Sequence, residues 1–353
     1  MELEYKQDCG LALKRHQAFW SREVIGRPVM WVTAPNGKPP REIPRPSTPK
    51  ERRTSIDYLV AARAELLRTI HFAGDALPTF APDFGPSTVN AWMGGELQYD
   101  DNTVWVDPHV SDADGLRKLR LDREGWAWKH YLALLDRAIV EGKGRWVTGY
   151  PDLHTGSDAL AAARGPEQFA MDMMDHPECV AEGMARMTDL WKEVVDETSR
   201  RILPQGQGTA NWMPGWSDRR FVVVGHNDFT CMASPDMYRE FFLPDNRACC
   251  RHVEHTLYHL DGPGALCHLD TILSIPELSG VQWVQGAGNG PMTRWMSVLK
   301  RIQAAKKCLH VTVDAEDVPV MLKELAPEGL FIRTGAGSAE EADRLVALAE
   351  EKR

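Results

Sequence analysis

The second half of the sequence repeats one pattern, in which an apolar or β-branched segment is followed by residues with helical periodicity. Strands are predicted at 221–224, 256–260, 281–284, 309–313 and 329–332. Strands that alternate with helices pair in parallel, and a parallel sheet has to be covered by helices on both faces or closed into a barrel. In a chain of 353 residues closure is favoured, so the sequence predicts an α/β fold of the (β/α)₈ TIM-barrel type.

The first half is less regular and predicts an elaborated region at the mouth of such a barrel. We expect a single domain over residues 1–353, with residues 1–75 as an N-terminal helical and loop extension. Within it, helical spacing predicts a helix at 56–70, and the proline-rich segment 36–53 predicts an exposed loop or lid. Residues 95–108 are typical of a β-hairpin.

Composition excludes several classes of function. The formal net charge is −9 and no cluster of lysine and arginine occurs on a predicted helix face, which argues against nucleic-acid binding. No stretch approaches the roughly 20 apolar residues that span a bilayer, and the N-terminal residues lack a secretory pattern. Seven cysteines without CxxC spacing argue against a disulfide framework. We expect a cytoplasmic protein without a membrane or nucleic-acid partner, and a homodimer is among the states the sequence permits.

A helix start reading Ser-Pro-Asp-Met-Tyr-Arg-Glu at 234–240 and a strand end reading Tyr-His-Leu-Asp-Gly at 258–262 form the most specific motif pair in the chain. With segments 27–31, 83–86, 156–160 and 164–166, they resemble the uroporphyrinogen decarboxylase superfamily. That resemblance implies a TIM barrel, and the superfamily includes corrinoid-linked methyltransferases as well as the tetrapyrrole decarboxylase.

At the positions where the two branches of the superfamily carry their functional side chains, this chain has different residues. The decarboxylase binds its substrate's carboxylates with an arginine pair after the first strand, where this chain reads Trp-Val-Thr-Ala-Pro-Asn at 31–36. The zinc methyltransferases use His-x-Cys and a later cysteine, whereas this chain has His259-Leu260-Asp261 and no cysteine at 334–337. The resemblance therefore implies a reorganised zinc site, for which Cys231, His259 and Asp261 are the candidate ligands.

The strand ends supply the candidate catalytic residues. Segment 226–231 follows a predicted strand, and within it Asp228 is a catalytic candidate that orients the substrate, while Asn227 can donate to an oxyanion. His259 and Asp261 end the next strand and are both catalytic and metal candidates. The alternative is structural: Asn and Asp often cap their own loops, and a strand-end histidine often only bonds to a neighbouring strand.

Further residues are candidates for substrate binding. Trp283 and Gln285 lie where a strand enters a glycine-rich loop, which permits close approach to a ligand. Tyr150, His154 and Trp216 belong to segments expected to reach the mouth, where aromatic groups can form a wall. Ordinary packing in the core is the alternative for each of these aromatic residues.

The leading functional hypothesis is a methyltransferase or demethylase. It would move a methyl group from a small methylated substrate to a corrinoid supplied by a partner protein, with zinc assisting at Cys231, His259 and Asp261. Two alternatives stay open: a metal-free decarboxylase or lyase in which Asp228 or His259 handles the proton, and a barrel that binds a ligand without catalysis.

Overall fold

A computed structural model of the protein describes residues 1–154, 156–225 and 227–351. Its strands are β1 Val29–Pro35, β2 Ile70–Gly74, β3 Thr79–Phe80, β4 Leu97–Tyr99, β5 Val104–Val106, β6 Val147–Thr148, β7 Phe221–Val224, β8 His255–Asp261, β9 Gly280–Val284, β10 Cys308–Thr312 and β11 Leu330–Gly335.

The α-helices of the described residues are α1 Cys9–Trp20, α2 Pro49–Thr54, α3 Ile56–Arg68, α4 Thr88–Trp92, α5 Ala113–Leu116, α6 Trp126–Gly142, α7 Ser157–Arg164, α8 Pro166–Asp175, α9 Pro177–Ile202, α10 Pro235–Met237, α11 Leu243–His252, α12 Leu269–Leu273, α13 Met296–Ala304, α14 Val318–Glu324 and α15 Ala339–Glu351. Short 3₁₀ turns lie at Leu203–Gln205, Asp228–Met232, Pro263–His268, Met292–Trp295 and Ala315–Asp317, and a π-helical turn at Tyr238–Phe242. In the part of the chain that the structure describes, no helix is long and apolar enough to cross a membrane.

The main sheet of the described residues has seven strands in the order β2-β1-β11-β10-β9-β8-β7, parallel throughout except for β2. Strands β3 and β6 form a separate parallel pair, and β4 and β5 form the predicted hairpin. The five predicted strands of the second half are thereby confirmed, as is the α/β class. The pairing does not show a closed eight-stranded barrel.

The N-terminal region contributes more to the sheet than the sequence predicted. Strand β1 pairs with both β2 and β11, so residues 1–75 are not merely an extension of helices and loops. The proline-rich segment is exposed as predicted, but its end forms α2. This helix begins because the Thr48 side chain accepts from the Glu51 backbone while the Glu51 carboxylate bonds back to Thr48, which satisfies amides at the helix start.

Side chains alternate between two faces of the main sheet. On one face, Trp283 and Tyr258 pack against residues of the surrounding helical segments, Trp295 and Tyr238. On the opposite face, which we call the inner face, His259 of β8 bonds to Gln282 of β9, and His310 of β10 stacks on Phe331 of β11. Helix α1 covers the inner face near the N-terminal ends of the strands, where His16 contacts Trp31 and Phe331. A site can therefore form on the inner face at the C-terminal ends of the strands.

Candidate metal and substrate site

Three predicted residues converge at the C-terminal ends of β7 and β8. Asp228 opens the 3₁₀ turn that follows β7, while His259 and Asp261 are two residues apart in β8 and therefore share the inner face. Their ligand atoms all lie within 4.8 Å of one another. We refer to Asp228, His259 and Asp261 as the triad.

Gln282 orients the imidazole of His259. The two residues pair in register on β8 and β9, and His259 Nδ1 lies 2.6 Å from Gln282 Oε1. An amide oxygen only accepts, so Nδ1 donates its proton and the lone pair of the ring is on Nε2. The edge of Trp212 also contacts His259, with ring centroids 5.3 Å apart. Such an outer hydrogen bond is typical of histidines that ligate metals, because it fixes the tautomer and the ring angle.

Asp261 has an unsatisfied carboxylate oxygen. Its Oδ1 atom is buried and has no hydrogen-bond partner within the described residues. A Cβ atom placed on Gly286 would lie 3.9 Å from this oxygen, so the glycine-rich loop passes close to it. A buried carboxylate oxygen without a partner is unfavourable, which points to a ligand or cation at this position.

Asp158 at the start of α7 fixes the position of Asp228. Its carboxylate accepts the backbone N–H groups of Asp228 at 3.1 Å and Phe229 at 3.0 Å. The pKa of the Asp228 carboxyl is raised by burial among protein atoms and then by the negative charge of Asp158, although His259 and His154 act in the opposite direction. The residue as a whole remains exposed at the site.

His154, predicted to bind substrate, lies between two carboxylates beside the triad. Its Nε2 is 3.2 Å from Asp152 Oδ2, and its Nδ1 is 3.7 Å from Asp158 Oδ2. Burial lowers the pKa of His154, but hydrogen bonds to Asp152 and Asp158 outweigh it and raise the pKa to about 10. The ring is therefore an imidazolium at neutral pH, and it offsets part of the negative charge around Asp228.

The side chain of Asn227, which was predicted to donate to an oxyanion, forms hydrogen bonds within the protein. It is buried, and its Oδ1 accepts from the Ser157 backbone N–H at 3.0 Å and the Ser157 hydroxyl at 2.8 Å. Its Nδ2 donates to Asn246 Oδ1 at 3.3 Å. The amide joins the loop after β7 to α7 and α11, so Asn227 positions Asp228. The neighbouring His226 of the same predicted segment lies outside the described residues.

Three aromatic residues predicted to bind substrate lie in the core, which corrects that prediction. Tyr150 and Trp283 are 0% exposed and Trp216 is 5% exposed, so they offer almost no surface to a substrate. The Tyr150 hydroxyl bonds to Ser199 of α9, and Trp216 packs against His16. Trp283 points to the helical side, because the alternation of side chains along β9 places Gln282 on the inner face.

Two other predicted residues stand beside the triad without joining it. Cys231 is exposed in the 3₁₀ turn that begins at Asp228, but the group of converging ligand atoms contains Asp228 in its place. Gln285 remains within the glycine-rich loop, where its Nε2 lies 3.4 Å from the Gly290 carbonyl oxygen.

Sequence reasoning missed Gln282, Asp158 and Asp152. Gln282 carried a usable signal, because a polar residue inside an otherwise apolar strand has to face something polar. Asp152 carried none, since acidic residues are common in loops. Asp158 lies in segment 156–160, which contributes to the family resemblance, but nothing in that segment indicated a role for its carboxylate.

The donor set is one imidazole and two carboxylates. Such nitrogen and oxygen donors suit divalent ions including zinc, manganese and iron, whereas a thiolate would have favoured softer metals. The residues present therefore fit a divalent ion, and the unsatisfied Asp261 oxygen supports this fit independently.

Fold and site together define an α/β protein with a polar site, suited to a metal, at the C-terminal ends of parallel strands. A methyltransferase from Methanosarcina mazei is similar in structure, with a TM-score of 0.59 over 96% of this chain and 98% of that chain, at 15% sequence identity. This likeness shows that the two chains share a fold. No protein-family model and no curated protein matches the sequence.

Proposed function

We propose that this protein is a methyltransferase of the uroporphyrinogen decarboxylase superfamily that removes a methyl group from a small methylated substrate. The observation that carries the proposal is the convergence of Asp228, His259 and Asp261 within 4.8 Å at the strand ends. The shared fold with a methyltransferase supports it, as do the sequence motifs at 234–240 and 258–262.

We also infer a closed (β/α)₈ barrel. Hydrogen bonds connect the β3–β6 pair to the segment that precedes β7: Tyr150 N, two residues beyond β6, donates to Ala210 O at 2.9 Å. On the far side, Asn211 Nδ2 lies 3.3 Å from Phe221 O at the start of β7. Such a ring would place the ends of all strands around one opening.

The triad would hold a divalent ion, with zinc as the first candidate. When bound, this ion supplies a Lewis acid that polarises the atom to which the methyl group is attached. The chain's own residues do the remaining work: Gln282 holds the His259 ring, Asp158 holds Asp228, and Asp228 orients the substrate. Trp212 adds an apolar wall beside His259.

The methyl acceptor in this proposal is a corrinoid carried by a separate protein. In-line transfer needs the reacting carbon to be reachable from outside, and the exposed position of Asp228 supports an opening of this kind beside the triad.

Metal binding tests the first step. Full-length protein is loaded with zinc, dialysed, and its metal content and affinity are measured by mass spectrometry and calorimetry. Asp261→Asn should lose most of the affinity, because it removes a charged ligand without changing the shape. Asp270→Asn is the matched control, since His268-Leu269-Asp270 repeats the sequence of His259-Leu260-Asp261 but Asp270 is exposed and paired with Arg301.

Methyl transfer tests the second step. Methylated thiols, alcohols, amines and aryl ethers are offered with free cob(I)alamin, and methylcobalamin is followed by its absorbance. Transfer that depends on Asp261 and not on Asp270 supports the proposal. If the protein binds a stoichiometric amount of metal but transfers no methyl group, the proposed methyltransferase activity is contradicted. Absence of metal together with proton exchange or decarboxylation of a small acid would favour the lyase alternative, in which the raised pKa of Asp228 suits a proton carrier.

A further inference from the structure

Arg333 projects from the inner face of the sheet near the end of β11. It pairs in register with Thr312 of β10 and Trp31 of β1, and residues in register on neighbouring strands share a face. Phe331, two residues earlier, stacks on His310 of the inner face with ring centroids 4.4 Å apart. Arg333 is therefore on the same face as the triad.

Arg333 and Asp261 also lie at the same height in the sheet. Asp261 pairs with Val284, the last residue of β9, and Arg333 pairs with Thr312, the last residue of β10. Strands β9 and β10 are themselves in register up to Trp283 and Val311, the residues just before these two strand ends. Strands β9 and β10 separate the two residues, which places them ~14 Å apart along the sheet. The arginine side chain itself spans several ångströms of this distance, so one small molecule can reach both.

No described residue supplies the guanidinium of Arg333 with a counter-charge. Among the described residues none forms a hydrogen bond or ion pair with its side chain, whereas Arg15 and Arg27 share Asp75. The side chain is open to solvent, yet desolvation by surrounding protein atoms lowers its pKa. An arginine presents five N–H donors in a planar fork that matches an oxyanion, and these donors are here available to a ligand.

The surroundings of Arg333 are polar and open. Thr312 lies beside it in register, and Thr33 follows Trp31 by two residues, so both hydroxyls share the inner face. Gly335, two residues beyond Arg333, leaves space: a Cβ atom placed there would meet only the Thr33 carbonyl oxygen, at 4.0 Å.

We propose that Arg333, with the hydroxyls of Thr33 and Thr312, binds a carboxylate of the substrate while its methyl group faces the triad. This inference rests on the proposed function. A single negative charge is favoured over a phosphate, because one guanidinium matches one charge and the opposite side of the site carries Asp158, Asp228 and Asp261. The substrate class is thus a methylated monocarboxylic acid whose carboxylate lies several ångströms from its methyl group.

The test compares two probes that differ only in charge, 4-methoxybenzoate and 4-methoxybenzamide, by calorimetry on the full-length protein. Unmodified protein should bind the carboxylate more tightly than the amide. Arg333→Gln should weaken carboxylate binding at least tenfold and leave amide binding unchanged, while Arg333→Lys should retain part of the preference. Arg344→Gln, at an exposed position of α15, is the matched control and should behave as the unmodified protein.

Equal binding of the two probes by unmodified protein, including no binding of either, would overturn the inference. A loss of both probes in Arg333→Gln would overturn it as well, provided that circular dichroism shows a folded variant. The readout needs no metal and no methyl transfer, so it is repeated in Asp261→Asn. If Asp261→Asn still prefers the carboxylate probe but the unmodified protein transfers no methyl group, the carboxylate site is supported and the proposed methyltransferase function is contradicted.

Discussion

The Nδ1 atom of His259 lies 2.6 Å from the Oε1 atom of Gln282, and this contact fixes the tautomer of the one imidazole in the triad. Replacing Gln282 by Leu removes the acceptor while keeping a similar volume. We expect zinc affinity to fall roughly 10- to 100-fold, because the ring loses its orientation and its preferred tautomer. Calorimetric titration measures the change. Gln285→Leu, in the adjoining loop, should leave affinity unchanged, and an unaltered affinity in Gln282→Leu would contradict the assigned role.

The side chain of Asn227 joins the loop after β7 to two helices, so its removal should lower the stability of the protein. Asn227→Ala leaves the Ser157 backbone N–H and the Asn246 oxygen without their partner inside the protein. We expect the free energy of unfolding to fall by about 1–3 kcal/mol, measured by urea denaturation. Asn102→Ala at an exposed turn provides the comparison and should change stability little.

Asp75 is the buried acceptor that secures α1 against the sheet. It is 0% exposed, pairs with Arg15 and Arg27, and accepts the Met30 backbone N–H at 2.9 Å. Asp75→Asn removes the buried charge that both arginines share and leaves them only the exposed carboxylate of Glu350, at 3.7 Å from Arg15 and 3.5 Å from Arg27. We therefore expect a loss of about 3–5 kcal/mol in thermal or urea unfolding. Asp343→Asn, which disturbs only the exposed pair with His71, should cost less than about 1 kcal/mol. Similar losses in both variants would refute the distinction.

His310 predicts a sensitivity to acid. It is fully buried beneath Arg333, its Nε2 lies 3.0 Å from the Pro214 carbonyl oxygen, and burial lowers its pKa to about 3. The unfolded chain binds a proton near pH 6.5, so between these values the unfolded state holds more protons than the folded state. Stability should therefore be complete above pH 6.5 and fall as the pH decreases toward 3, by at most about 5 kcal/mol from this group.

The measurement for His310 is the urea midpoint at pH 7 and pH 4.5, with His310→Gln as the comparison. The variant keeps an amide donor for the Pro214 carbonyl and cannot be protonated, so its midpoint should change less between the two pH values. An equal change in both proteins would assign the acid sensitivity to other groups, of which buried His16 is the next candidate because burial lowers its pKa as well.

The candidate site could be predicted in part because the ends of the strands can be located from the sequence. The apolar segment before Asp228 and the alternating segment around His259 place both residues at the same edge of a parallel sheet. The aromatic residues failed for a physical reason: Trp283 belongs to the right strand but faces the helices, since neighbouring residues in a strand point in opposite directions. The polar side chain of Gln282 in an otherwise apolar strand is the one local indication of which of these two residues is on the inner face.

By itself the sequence determined the α/β class, the strands of the second half and the pairing of His259 with Asp261, because periodicity and strand-end polarity are local properties. Tertiary structure decided that Asp228 and not Cys231 completes the triad, that Gln282 orients His259, and that none of the described residues gives Arg333 a counter-charge. These relations join residues far apart in the chain, and they depend on strand register and sheet curvature, which no local pattern encodes.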